Sequence, residues 1–382
     1  MNDSFGKTLS NTANQKYLPG THPDLPPPVK TTGPVAWFRK NLFSSPLNSV
    51  LTLLSFWFLW SIIPPFFEWS VQNSVLNADS RTQCWEQMIV PAAGACWAFI
   101  DDRLALFTYG FYPQPLRWRV DLSFILLVLA VVPVLYEKLP YRKYGLLCSA
   151  AFPFLAGWLL AGGLGLEPVS TDQFGGIMLT LILGITGITF SLPIGIALAL
   201  GRLSNMPTLR MLCVLFIEFI RGVPLITLLF VASTMLNYFL PPGTVYALLT
   251  RVLIIVTLFG SAYMAEVIRG GLQAISKGQH EAGDSLGLTY WQAQRLIMLP
   301  QALKISIPGI VNTFIGFYKD TTLVLIIGMM DLLGLGYSSL GDIKWAGLAN
   351  EVYLTVALFY FICCFSMSRY SLYLEKKLHT GH

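Results

Sequence analysis

Between Lys40 and Glu68 the chain runs 27 residues without a single charge. A helix needs about 20 apolar residues to cross the ~30 Å hydrocarbon core of a bilayer. Comparable runs follow at Tyr144–Leu166, Gln173–Gly201 and Gly222–Thr250, the last long enough to end one span and begin another. Shorter ones lie at Leu122–Tyr136, Val252–Ala265, Ile305–Tyr318, Thr321–Met330 and Val352–Ser368. Overall 54% of residues are hydrophobic and 12% charged, about half the usual charged share, so a soluble globule could not hide its apolar surface. The expectation is an all-α polytopic membrane protein. A net charge of +5 is too weak a bias for a nucleic-acid binder, and what matters is where the positive charges fall.

An arrangement of eight crossings with both termini cytoplasmic places 18 of the 25 Lys and Arg on the inside, as the positive-inside bias requires. Thr321–Met330 is then re-entrant or interfacial, because a ninth crossing would send the basic tail Arg369–Lys377 outside. Arg251 sits near the outer end of a span and is read as snorkelling outward. Residues 1–46 are polar, with Pro26, Pro27 and Pro28 in a row, and read as a disordered cytoplasmic tail without the features of a secretory signal. Residues 47–166 hold three spans and a long outer loop over about 68–121, residues 174–373 hold five more, and 374–382 form a cytoplasmic tail. The outer loop carries Trp69, Trp85, Trp97 and Trp118, together with Cys84 and Cys96. Those cysteines have two readings: a disulfide in an oxidising compartment, or two reduced thiols in an aromatic cluster. Cys363 and Cys364, adjacent in an apolar run, are core residues, and no cysteine spacing suits a metal.

The inside stretch Gly270–Lys304 is unlike a simple connector. Ser276-Lys277-Gly278-Gln279 has the spacing of a capping box, and Gly287 can supply a left-handed stop to a short helix through Glu281, Ala282 and Asp284. Thr289 and Gln292 repeat the spacing for a second helix through Arg295 and Ile297, after which Pro300 resets the chain before the next span. Such a knob either braces the bundle or docks into a partner.

The residue string bears on that choice. Glu281-Ala282-Gly283, then Gly287, then Ile297-Met298-Leu299-Pro300 resembles the EAA loop of bacterial ABC-importer permeases, with Gly283 standing where that family usually has Ala. Phe219-Ile220-Arg221-Gly222-Val223-Pro224-Leu225, Ala262–Gly271 and Lys319-Asp320-Thr321-Thr322-Leu323 resemble further signatures of the polar amino-acid branch. The likeness runs from about Phe174 to the C-terminus. The three extra N-terminal spans and the Trp-rich loop are similar to the permeases of the general L-amino acid importer of Gram-negative bacteria, most of all the M-type.

The resemblance implies a type I ABC importer permease core preceded by three extra helices, in the bacterial inner membrane. It further implies a second permease subunit as heterodimer partner, two ATP-binding subunits and a periplasmic amino-acid-binding protein. Glu281, Ala282, Gly283, Gly287, Leu299 and Pro300 would dock the ATPase. No Gly-x-x-x-x-Gly-Lys-Ser/Thr loop occurs, so this subunit is expected to be no enzyme and to hold no cofactor or metal, with ATP and Mg acting on the partner ATPase. A path for zwitterions needs polar groups in the bundle; the candidates are Glu218, Arg221, Glu266 and the turn Lys319, Asp320, Thr321, Thr322. Glu218 with Arg221, and Glu266 with Arg269, are each spaced to pair on one helix face. A proton- or sodium-coupled secondary transporter would need inverted repeats that the sequence does not display, and a non-transporting scaffold leaves the broken span unexplained.

Overall fold

The computed structural model describes residues 33–136, 138–239, 241 and 246–378. The expected tail over 1–32 and the last four residues lie outside these. The described residues are helical, interrupted only by turns and isolated bridges. They fall into two compact units, one ending at Glu68 and one beginning at Trp69.

In the first unit α1 covers Pro34–Asn41 and α2 covers Pro46–Phe67. Residues 34–41, expected within a disordered tail, are therefore helical. Pro34 in its first turn and Arg39 and Lys40 in its last suit the two ends of a helix dipole. Helix α2 opens on Ser45, whose hydroxyl accepts from Asn48 N at 3.2 Å, and no residue along it is buried. An apolar helix with no buried face needs lipid around it.

The second unit starts with α3 (Arg81–Gln87) and α4 (Ala98–Tyr109) within the long loop, followed by the spans α5 (Trp118–Leu135) and α6 (Arg142–Ala161). Then come α7 (Gly176–Arg202), α8 (Pro207–Gly222), α9 (Leu225–Phe230) and α10 (Leu248–Gln273). Short helices α11 (Lys277–Ser285) and α12 (Tyr290–Ala293) lead to α13 (Leu299–Asp320), α14 (Leu332–Ser339) and α15 (Ala349–Leu378). The helix continues through Leu378, so the tail expected from 374 is helical in its first turn.

Among the described residues seven helices are long and apolar enough to cross a bilayer, and the pair α8–α9, bent by 102° at Val223-Pro224, gives eight if it is counted as one span. Proline at 224 cannot donate to the α8 ladder, which ends there. Counted so, the total is the eight expected, five of them from Gly176 onward. Helix α8 is tied to the ends of α7 and α10, with Glu218 2.8 Å from Arg202 and Arg221 3.7 Å from Glu266.

Within the core α7 packs on α10, α10 on α13, and α13 on α15. A membrane bundle gains little from the hydrophobic effect between helices and depends on close van der Waals contact, which small residues permit. Gly187 shows this: a Cβ there would stand 2.1 Å from Phe317 Cζ, so the ring of α13 occupies the space that α7 leaves open. The segment 69–117 is fastened to one end of this core. Cys84 and Cys96 are joined as a disulfide with Cα atoms 6.0 Å apart, and Cys96 N donates to the buried carboxylate of Glu351 at 3.0 Å. Trp345, fully buried, stacks at 5.6 Å on Phe99 and donates to Asp102 at 3.0 Å, while Arg103 pairs with Asp342. The opposite end carries α11 and α12.

Arg251 does not snorkel. It is buried, and its guanidinium donates to the carbonyls of Tyr246, Ala232 (3.0 Å) and Ser233. The chain makes a π turn over Val231–Met235, where the i→i−4 ladder is lost and carbonyls need other donors. Arg251 supplies them.

Candidate functional site

Helix α11 begins after Ser276, but the capping box expected there does not form. No side chain caps the helix, because Gln279 turns instead to α13 and accepts from Gln301 at 3.1 Å. The second box does form in part: Gln292 Oε1 accepts from Thr289 N and from the Thr289 hydroxyl, both at 2.9 Å. Between the two helices Gly287 takes φ +68°, the left-handed region, and Leu288 N bonds back to Gly283 O at 3.2 Å. That pattern closes α11 as a glycine corner.

Gly283 is the buried residue of α11 and faces α12. A Cβ there would meet Ala293 at 3.6 Å and Ile297 at 3.8 Å, ordinary contact distances, so the site accepts either Gly or Ala. Glu281, Ala282, Gly287 and Pro300 are exposed, and Leu299 is half-buried. Leu286, Tyr290, Trp291 and Leu296 add large exposed apolar side chains to the same knob. Pro300 does not reset the chain before the next span. A π turn over Gln294–Met298 runs straight into α13, giving one helical rod from Tyr290 to Ile327. Leu299 N bonds to Gln294 O, five residues back, and Pro300 needs no such partner because it has no N–H. The knob is therefore built onto the end of a span.

Beside the knob lies a charged cluster. Glu266 receives Arg202 and Arg269 at 2.8 Å and Arg221 at 3.7 Å, and Arg202 also holds Glu218 at 2.8 Å. The expected pairing of Glu266 with Arg269 is present; the expected pairing of Glu218 with Arg221 is replaced by bonds to other helices. Arg202 is the hub that sequence reasoning missed. It follows the uncharged run Gln173–Gly201, and counting it for orientation hid its role as the tie between α7, α8 and α10.

The seven candidate path residues do not form one site. Gly309 packs on Val267, beside Glu266, and Asp320 stands eleven residues further along α13, about 16 Å at 1.5 Å per residue. Glu218, Arg221 and Glu266 are thus at the knob end, and Lys319 to Thr322 toward the other. The break expected there is not seen: the helix continues and tightens into a 3₁₀ turn over Thr321–Ile327. Thr321 and Thr322 donate to the carbonyls of Tyr318 (2.8 Å) and Lys319 (2.9 Å), so their hydroxyls are spent on the turn. Lys319 and Asp320 form no ion pair among the described residues. Asp331, after the rod ends, caps α14 by accepting from Gly334 N at 2.8 Å and takes a hydroxyl bond from Tyr360 at 3.3 Å. Burial pushes its carboxyl up to about 6, against the lowering effect of those bonds.

A polytopic helical core carrying a glycine-cornered knob on one span is the architecture expected of a membrane permease subunit. Residues 191–380 match the family model of the inner membrane component of binding-protein-dependent transport systems. The chain is 48% identical over 363 residues to the inner membrane amino-acid ABC transporter permease protein YhdY of Escherichia coli K12, covering 94% of this chain and 97% of that one. It is 45% identical to the glutamate/glutamine/aspartate/asparagine transport system permease protein BztC of Rhodobacter capsulatus, covering 94% and 96%. Against the probable amino-acid permease protein YxeN of Bacillus subtilis the identity is 38%, over 48% of this chain and 81% of that one. The chain belongs to the family of inner membrane components of binding-protein-dependent transport systems, and is the permease subunit of an ABC importer.

Proposed function

We propose that this chain moves L-amino acids across the inner membrane as one half of a permease heterodimer, its own half being the M-type. A periplasmic binding protein delivers the amino acid, and two ATP-binding subunits, which carry the ATP and Mg, supply the free energy. Both termini and the knob face the cytoplasm, and the 69–117 segment faces the periplasm, where its disulfide is stable. The amino-acid cargo is supported by the amino-acid permeases of E. coli and R. capsulatus, to which this chain is similar over nearly its whole length.

The observation that carries the reading is the rod from Tyr290 to Ile327. A partner gripping Glu281, Ala282, Gly283, Gly287, Leu299 and Pro300 pushes on a helix that is continuous with α13. Displacement at the knob then reaches Lys319 and Asp320, whose opposite charges suit the carboxylate and ammonium of a zwitterion. Glu266 and its arginines hold α7, α8 and α10 as one body against which α13 moves.

Uptake of labelled amino acid by the purified complex in liposomes, with and without internal ATP and with the proton gradient collapsed, tests the reading. ATP-dependent uptake that survives loss of the gradient is the expected result; gradient-driven uptake without ATP refutes it. Two variants test the knob. Gly287→Val strains the left-handed corner and is expected to lower ATPase stimulation about tenfold or more with insertion intact, whereas Gly287→Asn, which tolerates that conformation, retains most of it. Equal activity of both variants and the parent would remove the docking role.

A further inference from the structure

Helices α5, α6, α7 and α10 enclose a slot of about 400 Å³ that the permease mechanism does not use. No charged residue lines it, and along α7 it follows one stripe through Met178, Ile182, Ile185 and Phe190. Twelve residues of helix separate the ends of that stripe, about 18 Å. One leaflet of a bilayer is about 15 Å of hydrocarbon deep. The slot is open to the side: Phe154, part of its wall, is 67% exposed and meets Phe190 edge-on at 5.4 Å. Leaving a largely apolar space of this size unfilled forfeits packing against all four helices.

The end nearest the 69–117 segment has a polar feature of its own. Ser123, in the wall, lies one turn beyond Arg119, to whose carbonyl its hydroxyl donates at 2.9 Å. Arg119 is only 3% exposed, and neither it nor Arg117 has a carboxylate within ion-pair distance among the described residues. The Nε atoms of both are buried without a hydrogen-bond partner. Arg119 Nη1 donates to the carbonyl of Glu167 at 2.7 Å and Arg117 lies over the Tyr109 ring at 5.0 Å, so both are held beyond the Ser123 end of the slot with no carboxylate to neutralise them. Uncompensated positive charge next to an apolar slot one leaflet long matches a single amphiphile.

We infer that the slot holds one acyl chain of a bilayer phospholipid as a resident structural ligand, its phosphate toward Arg117 and Arg119. The lipid fills the seam between the two added spans α5 and α6 and the permease core, and is retained when the surrounding bilayer lipid is stripped away.

The test uses the full chain in its complex, reconstituted into phosphatidylethanolamine and phosphatidylglycerol vesicles doped with phosphatidylglycerol that bears a diazirine in one acyl chain. The complex is extracted into detergent, washed by gel filtration and then irradiated. Label is expected on peptides covering Phe152–Trp158 and Met178–Phe190, with little on the lipid-exposed helix α2. A Cβ added at Gly157, in the slot wall, meets nothing within 4 Å, so Gly157→Leu fills the slot without a clash. It is expected to cut the retained label about tenfold or more, and Arg117→Gln is expected to cut it severalfold. Label on α6 and α7 no higher than on α2 after washing overturns the inference, whether or not the variants fold. So does label unchanged by a well-folded Gly157→Leu, or label recovered on a co-purifying protein chain, which would make the slot a subunit interface.

Discussion

Trp345 and Trp291 stand at opposite ends of the core and in opposite surroundings. Trp345 is fully buried, stacked on Phe99, with its indole N–H on Asp102. Trp291 is 69% exposed on the knob, its ring against Tyr290 at 5.3 Å. The end with Trp345 is sealed by groups whose loss leaves buried partners unmet: Glu351 on Cys96 N, Asp331 on Gly334 N, Arg81 on Ala346 O. The knob is held by the Gly287 corner, the Gln279–Gln301 bond and the contact of Gly283 with Ala293 and Ile297. One end of the molecule is stabilised from within, and the other keeps its large side chains outward for a partner. Substitutions at the first end act on stability, and those at the second on coupling.

Exchanging the tryptophans sets the two ends apart most sharply. Trp345→Ala is expected to cost about 3–5 kcal/mol of stability, read as a fall in Tm of the detergent-solubilised complex. Trp291→Ala costs under about 0.5 kcal/mol by the same measure and lowers ATPase stimulation instead. Equal Tm losses would erase the distinction. The double variant Cys84→Ser, Cys96→Ser ranks next. Opening a loop of this length is worth about 3 kcal/mol, and limited proteolysis should then cut between residues 76 and 97.

Asp331 sharpens the same contrast through pH. Its native pKa of about 6 exceeds the unfolded value of about 3.9, so its contribution is complete below about pH 4 and is lost as pH rises through about 6. Stability should fall by on the order of 2–3 kcal/mol across that window and level above it, a slope that Asp331→Asn removes in a Tm–pH profile. The smallest effect is at the knob. Gly283→Ala should raise local stability by up to about 1 kcal/mol and leave transport intact, read by hydrogen exchange of α11.

Much of this was legible before any coordinates. A charge-free run such as Lys40–Glu68 admits few fates, so the crossings could be counted, and Gly287 could be placed at the corner because a left-handed turn favours that residue. The bond between Cys84 and Cys96 stayed open, since twelve residues of spacing say nothing of whether two Cα atoms come within 6.0 Å. The candidate path was the least legible part. Polar residues group in a sequence because each is costly in lipid, yet Glu266 and Asp320 lie on different helices, well apart along the bundle.

Burial cost and backbone stereochemistry are local properties, and with them the amino-acid order alone determined the helical class, the number of spans and the position of the knob. Which charge meets which was decided only in three dimensions. Arg202 could have paired with any acid at the knob end, and Arg251 could have reached for water, until α8 and α10 packed against the end of α7 and the π turn at Val231 exposed its carbonyls. Long side chains carry their charge several ångströms from the backbone, so their partners follow from how helices cross and not from their order along the chain.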